Sequence, residues 1–281
     1  MQSDSVSITR DSYRVFVDFL KIKLGHELGE GKEYLLENRL NPLCETLNFA
    51  NINLLANEIK SNPYSPIGNM IVEQMTIQET SFFRAPRVFD NLRKNIIPRL
   101  IRENVYSHTI KIWSACCSTG QEPYSIVMML LEDFPELEHW NISFLATDVS
   151  ENALAKAKSG MYSRFETIRG LPTPLKEKYF SETADGQYQV DSRLRAKVNF
   201  QQVNLLDGFY SLGGPFDIIL IRNALIYFAP EVVTGIFQKL RGVIKENGCL
   251  ILGESESILG KTTMFNLPVG GTDYFSPAPL P

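Results

Sequence analysis

Acidic, amide and guanidinium side chains recur in this chain at one kind of place, just after a short apolar run. Asp148 follows 142–147, Asn204 follows 198–203, and Arg222-Asn223 follows 216–221. A fourth run, 110–115, leads into the loop Cys117-Ser118-Thr119-Gly120 and then Glu122. Short apolar runs alternating with helical stretches read as strands of a parallel sheet. Open sheets of that kind bind ligands beyond the carboxyl ends of their strands, where the strand order reverses. The spacing therefore gathers 118–120, Asp148, Asn204 and Arg222-Asn223 around one crevice.

The loop after the first run has a single glycine and no G-x-G-x-x-G. A dinucleotide pyrophosphate needs several close backbone approaches, so a nicotinamide-dependent enzyme is a distant reading. S-adenosylmethionine carries no phosphate and needs one tight turn beside its methionyl part, which this loop supplies. A carboxylate at Asp148 can accept both ribose hydroxyls of an adenosine, or it can complement the dipole of the helix that follows. Glu122 opens the helix after the glycine loop and likewise has a ligand-binding and a dipole reading.

The elements that must hold these residues follow from periodicity. Before residue 78 only helical spacing appears. Tyr13, Phe16, Val17, Leu20 and Leu24 form one apolar face, and Tyr34, Leu35, Leu40 and Leu43 a second. Leu54, Leu55 and Ile59 form a third, which stops at Asn62-Pro63 and Ser65-Pro66. The expectation is an all-helical N-terminal domain over 1–77, a linker and helix over 78–108, and an α/β domain over 109–281. Within the last, 110–115, 142–147, 198–203, 216–221 and 249–252 read as strands. Pro123 suits a first helical turn, and Ser150 suits the N-cap of a helix that Gly160 stops. Val232, Val233, Ile236, Phe237, Leu240, Val243 and Ile244 form one helical stripe. Asp185-Gly186 between 178–183 and 187–190 is a hairpin signal. It predicts a small antiparallel insertion at about 171–197, acting as a lid or handling a partner. The tail, through 264–265 and 272–275, is expected to add antiparallel edge strands.

Composition narrows the classes. The 281 residues, 44% of them hydrophobic, suffice for one large and one small domain. A net charge of -4 argues against a dedicated nucleic-acid binder. No apolar stretch approaches the roughly 20 residues that cross a bilayer. Asp4, Asp11 and Asp18 interrupt the first twenty residues, which lack a signal-peptide core. A cytoplasmic location without membrane insertion is expected. Cys44, Cys116, Cys117 and Cys249 form no C-x-x-C, and His26, His108 and His139 lie far apart, so no metal site is expected. The cysteines read as reduced.

Several longer blocks occur in a fixed order: Gln78-Glu79-Thr80-Ser81-Phe82-Phe83-Arg84, Trp113-Ser114-Ala115-Cys116-Cys117-Ser118-Thr119-Gly120-Gln121-Glu122-Pro123-Tyr124-Ser125, Ala146-Thr147-Asp148, Phe216-Asp217 through Arg222-Asn223-Ala224-Leu225-Ile226-Tyr227-Phe228, and Leu252-Gly253-Glu254-Ser255-Glu256. As a set they resemble the CheR family of chemotaxis receptor methyltransferases over nearly the whole chain. The resemblance implies a Rossmann-like class I methyltransferase domain with a small antiparallel β insertion, behind an all-helical N-terminal domain. It implies S-adenosylmethionine as cofactor and S-adenosylhomocysteine as product. Cofactor contacts are implied at Gln78, Thr80, Arg84, Glu122, Asp148, Asn204, Leu205, Arg222 and Asn223, with Arg84 and Tyr227 beside the transferred methyl. Three positions depart from the family pattern: Gln78 stands for a usual Asn, Cys116 for Gly and Gln121 for Glu.

The implied reaction is methyl transfer to glutamate side chains on the cytoplasmic domain of methyl-accepting receptors. A glutamate with pKa about 4.3 is already ionised at neutral pH, so no general base is needed. That fits the absence of an obvious catalytic histidine. Arg84 can hold the incoming carboxylate by a charge-assisted bond, or pair with Glu79. Tyr227 can orient the same group, or pack as a strand-end aromatic. Residues 1–77 hold ten acidic and seven basic side chains and no concentrated basic stripe, although Lys32 and Arg39 can share a face. The basic docking face that family members commonly present is thus not evident. The short turn at Gly186 predicts no high-affinity receptor-tail tether, and a monomer is expected. Two rivals remain: a same-fold methyltransferase acting on another protein or a small molecule, and a non-catalytic cofactor-sensing module that binds receptors.

Overall fold

Helical spacing before Ile77 produces the helices Arg10–Leu24, Glu33–Thr46, Ile52–Ser61 and Pro66–Met75. The computed structural model describes residues 6–268 and 273–279. Thr9 Oγ1 accepts the Ser12 N–H at the first helix N-terminus, and Gly25 at φ +68 ends that helix. Phe16, Leu20, Leu36, Leu40, Ile52, Leu55, Ile59 and Ile71 are buried. Two expected apolar faces are rotated from their sequence assignment. Tyr34 is exposed, and the inward positions of its helix are Leu36, Leu40, Leu43 and Cys44. Leu54 is exposed, while Ile52, Leu55, Ala56 and Ile59 point inward. Arg39 Nη1 donates to the carbonyls of Gln74, Met75 and Thr76. It thereby satisfies acceptors that a helix C-terminus leaves open.

A segment distant in sequence completes this unit. Tyr227–Val232 groups with the residues up to Ile77, and Gln78–Ile226 with Val233 onward forms the second unit. Glu27 N–H donates to the Tyr227 carbonyl at 3.0 Å, and Ala229 N–H to the Gly25 carbonyl at 3.0 Å. The His26 ring meets Phe228 edge-on at 5.2 Å and lies 5.9 Å from Tyr227. Burial pushes the His26 pKa down to about 4, with the Arg39 charge adding to the shift.

The second unit is built on strands β1 (Thr109–Ala115), β2 (Asn141–Asp148), β3 (Met161–Tyr162), β4 (Phe180–Glu182), β5 (Tyr188–Val190), β6 (Val198–Gln202), β7 (Phe216–Ile221) and β8 (Ile244–Leu252). A parallel sheet has the order β6-β2-β1-β7-β8. The order reverses between β1 and β7, which puts the ligand crevice past their carboxyl ends. Every residue of β7 is buried, as expected of a strand covered on both faces. The last helical stripe is shorter than its spacing predicts. Helix Pro230–Arg241 stops before Gly242, and Ile244 opens β8 five residues ahead of the expected 249. Val243 and Ile244 bury their side chains from the connection and the strand instead.

The antiparallel insertion has the order β3-β5-β4. It reaches outside 171–197, because Met161–Tyr162 pairs with β5. Lys178 and Tyr179 end a helix, Thr173–Tyr179, rather than starting a strand. Gly186 takes φ +74 in the hairpin turn. In the tail, β9 (Phe265–Asn266) pairs antiparallel with β10 (Ser276–Pro277), and Phe275 bridges to Leu250. Thr272, expected in the second of these strands, lies outside the described residues. The four cysteines are free. Among the described residues no helix is long and apolar enough to cross a membrane, and no metal-binding group of acids, histidines or cysteines occurs.

Candidate active site

Asp148 closes β2 and is 6% exposed. Its Oδ2 accepts the Ser118 N–H at 2.8 Å and its Oδ1 the Ser150 N–H at 3.0 Å. Burial pushes its carboxyl pKa up. The Ser150 and Ser118 N–H groups and the Gln78 amide oppose that shift without cancelling it. The Ser118 hydroxyl donates to the Gln78 carbonyl at 3.0 Å, and Gln78 Oε1 is buried without a partner among the described residues. The loop carrying Ser118 comes close to its neighbours at its single glycine. A Cβ on Gly120 would meet Ala157 Cβ at 2.8 Å, and φ there is +91.

Glu122 and Arg222 form a second cluster. Arg222 Nη1 donates to Glu122 Oε2 at 2.7 Å, with the two side chains 4% and 12% exposed. Ser114 Oγ donates to Glu122 Oε1 at 2.7 Å. Arg222 Nη2 donates to the Arg84 carbonyl at 2.7 Å, and Arg222 Nε is buried without a partner among the described residues. Glu122 is therefore half of a buried ion pair rather than a simple dipole complement.

The 78–84 block is docked by its aromatics. Phe82 meets Tyr162 and Phe180 edge-on at 5.1 and 5.5 Å. Phe83 N–H donates to Ser125 Oγ at 3.0 Å. A Cβ on Gly170 would fall 2.1 Å from the Phe82 carbonyl oxygen, so glycine is required there. The Arg84 guanidinium donates to the Glu79 carbonyl at 3.0 Å and makes no ion pair among the described residues. Arg169 takes the Glu79 carboxylate instead, at 2.7 Å, and holds its pKa below the usual range. The ion-pair reading of Arg84 with Glu79 is thereby replaced.

The remaining sequence-predicted positions divide. Asn204 and Leu205 follow β6 at the same edge of the sheet. Asn204 Oδ1 accepts the Leu206 N–H, and the buried Leu205 offers its carbonyl to Lys239 Nζ. Thr80 is half-buried between Gln78 and Arg84. Tyr227 groups with the helical unit.

One acid had no assigned role in the sequence reading. Glu256, 7% exposed, accepts N–H groups from Asn223 (2.7 Å), Ala224 (2.9 Å), Leu225 (2.7 Å) and Gly253 (2.7 Å). Its motif block is legible, but a side chain whose partners are all main-chain N–H groups leaves no residue-type signal. Burial, then Asp148, Glu256 and Glu122, push the Cys116 thiol pKa far up, so three acids surround that loop. Among the described residues seven non-glycines have positive φ. Five of them, Phe83, Ala85, Cys116, Ser118 and Asn223, fall in these loops. Such backbone strain gathers where the surrounding structure fixes a functional geometry.

The parallel sheet of this order, taken with a match to a SAM-binding family model, makes this an S-adenosylmethionine-dependent methyltransferase of Rossmann-like fold. Residues 78–273 match the family model described as CheR methyltransferase, SAM binding domain, and the chain belongs to that family. The chain is 34% identical to a chemotaxis protein methyltransferase of Vibrio parahaemolyticus over 94% of its length and 95% of the relative's. It is 35% identical to chemotaxis protein methyltransferase 1 of Pseudomonas aeruginosa, covering 90% and 92%. A chemotaxis protein methyltransferase of Borreliella burgdorferi is 33% identical, covering 92% and 93%.

Proposed function

We propose that the protein transfers the methyl group of S-adenosylmethionine to glutamate side chains on the cytoplasmic domain of methyl-accepting chemotaxis receptors. The products are glutamate methyl esters, made for sensory adaptation, and S-adenosylhomocysteine. The carrying observation is the pair of buried orphan atoms at the site. Gln78 Oε1 is an acceptor beside Asp148, and Arg222 Nε is a donor beside Glu122. Buried polar groups are rarely left unpaired. An amino-acid moiety, with an ammonium to donate and a carboxylate to accept, satisfies both. In this reading Asp148 accepts ribose hydroxyls, and Asn204, Leu205 and Asn223, from the same strand ends, complete the cofactor's contacts. Thr80 contributes from the 78–84 block.

When bound, the cofactor would supply an electrophilic methyl on a sulfonium, whose carbon–sulfur bond would break with its electron pair left on sulfur as a carboxylate oxygen bonded the methyl carbon. Arg84, with no ion pair of its own, holds the incoming carboxylate in line. Tyr227 orients the acceptor through its hydroxyl. Alignment and exclusion of water carry the rate, since the nucleophile is already ionised. In this reading residues 1–77 serve the receptor, 78–108 connect, and 109–281 carry the transfer. Arg39 is occupied with helix carbonyls, which removes it from a basic docking face. The protein works in the cytoplasm as a monomer, without a metal and without a tight receptor-tail tether.

The test is incubation with radiolabelled S-adenosylmethionine and a receptor cytoplasmic fragment. Alkali-labile methyl ester on the receptor supports the reading, and its absence defeats it. Arg84→Ala is expected to lower turnover about ten- to hundredfold, the worth of a charge-assisted bond, while S-adenosylhomocysteine affinity changes only a few-fold.

A further inference from the structure

The loop after β7 carries Arg222 and Asn223, and its shape has to be imposed. Asn223 sits at φ +59, a conformation that costs a non-glycine residue free energy. In that conformation the N–H groups of Asn223, Ala224 and Leu225 converge on one point. Successive N–H groups turned the same way form an anion-binding concavity. Here the anion is a side chain of the chain itself. Glu256 Oε2 accepts from Asn223 and Gly253, and Oε1 from Ala224 and Leu225. A carboxylate has about four lone-pair sites, so its capacity is used up by main chain. The path that delivers it is equally constrained. β8 pairs with β7 in parallel as far as Ile221 and Leu252, so Gly253 lies beside Arg222. The chain then turns back, with Glu256 N–H donating to the Gly253 carbonyl at 2.9 Å. A Cβ on Gly253 would stand 2.7 Å from Glu256 Oε2 and 2.8 Å from the Asn223 nitrogen. Glycine is what lets the carboxylate reach under the loop.

We infer that Glu256 is a positioning residue for methyl transfer: its carboxylate, holding the N–H groups of Asn223, Ala224, Leu225 and Gly253, sets the loop that presents Arg222 and Asn223 to the cofactor. The inference rests on the function proposed above. Glu256 touches neither cofactor nor receptor; it acts through the loop. Glutamine keeps the shape but replaces one oxygen with an NH2 group. Two of the four backbone donors then face a donor.

The experiment uses the full chain, with Glu256→Gln and, separately, Gly253→Ala. Three quantities are read: S-adenosylhomocysteine affinity by calorimetry, kcat at saturating cofactor with a receptor fragment, and Tm. Glu256→Gln is expected to weaken S-adenosylhomocysteine binding and to lower saturated kcat, each about tenfold, the effect of leaving buried donors unanswered. Gly253→Ala is expected to move both in the same direction by a smaller factor. A Glu256→Gln protein with lowered Tm but parental affinity and kcat would reduce Glu256 to a structural buttress and overturn the inference. Should that variant not fold, Gly253→Ala decides, and parental affinity and kcat there overturn it. Failure of the underlying function shows separately, as no S-adenosylhomocysteine binding by the unsubstituted protein, and takes this inference with it.

Discussion

The two sides of the sheet's switch point hold their acids differently. At the end of β7, Arg222 locks Glu122, which opens the helix after β1 and also accepts from Ser114, and Glu256 is saturated by four main-chain donors. Past β2, Asp148 is held by the main-chain N–H groups of Ser118, Ser150 and Val149 and by the Gln78 amide, and burial still disfavours its charge. A side-chain amide can yield its place to a ligand hydroxyl, whereas four backbone N–H groups cannot leave without remaking the loop. The β7 side is thus built by the protein except at the Arg222 Nε donor, and in the proposed function the β2 side is completed by what binds there.

The sharpest way to break this contrast is Glu122→Ala. It strands the buried Arg222 charge, and the expected loss is about 3–5 kcal/mol of stability, read by urea denaturation. A loss under about 1 kcal/mol would mean the β7 side is not pre-built. Asp148→Ala is expected to do the opposite. Stability changes less than in Glu122→Ala, while S-adenosylhomocysteine dissociation rises about ten- to hundredfold, as for a lost hydrogen bond to a charged group. Calorimetry separates the two variants. A pH series sharpens the comparison further. Ligand affinity should fall as pH drops from neutral through the raised Asp148 pKa, because a protonated carboxyl accepts fewer bonds. The stability term of the same group runs the other way. It is fully present below the ordinary carboxylate pKa of about 3.9 and is lost as pH rises through the raised folded value. An affinity that stays flat between neutral pH and the unfolding limit would remove Asp148 from the ligand. The smallest effect is expected for Gln78→Asn, which keeps an amide and shortens its reach. A few-fold change in affinity is expected, against a much larger loss for Gln78→Leu, which removes both polar atoms.

Much of this arrangement is legible in the sequence, for identifiable reasons. Apolar runs ending at Ala115, Asp148 and Ile221 place the chemistry at strand ends, because a strand buried on both faces has to be continuously apolar. Single positions at the ends of elements are less legible. Val243 and Ile244 continue a helical stripe, and only Gly242 and the pairing of Ile244 with Phe216 take them out of it. Met161–Tyr162 is too short to read as a strand until β5 lies beside it. The pairing of charges is least legible. Glu79 stands five residues from Arg84, yet its carboxylate goes to Arg169. Glu256 is hidden for a related reason, since its partners are amides that every residue carries.

The Tyr227–Val232 segment has a consequence for dissecting the molecule. Cleavage of the peptide bond between Ile77 and Gln78 would not release a helical fragment. Main-chain bonds from Gly25 and Glu27, and the His26 ring against Phe228, would keep the severed piece attached to the segment of residues 227–229. Expression of 78–281 alone would therefore be an amputation at an interface rather than the removal of an accessory module. Tyr227 would emerge from it with neither its carbonyl answered nor its aromatic neighbour in place.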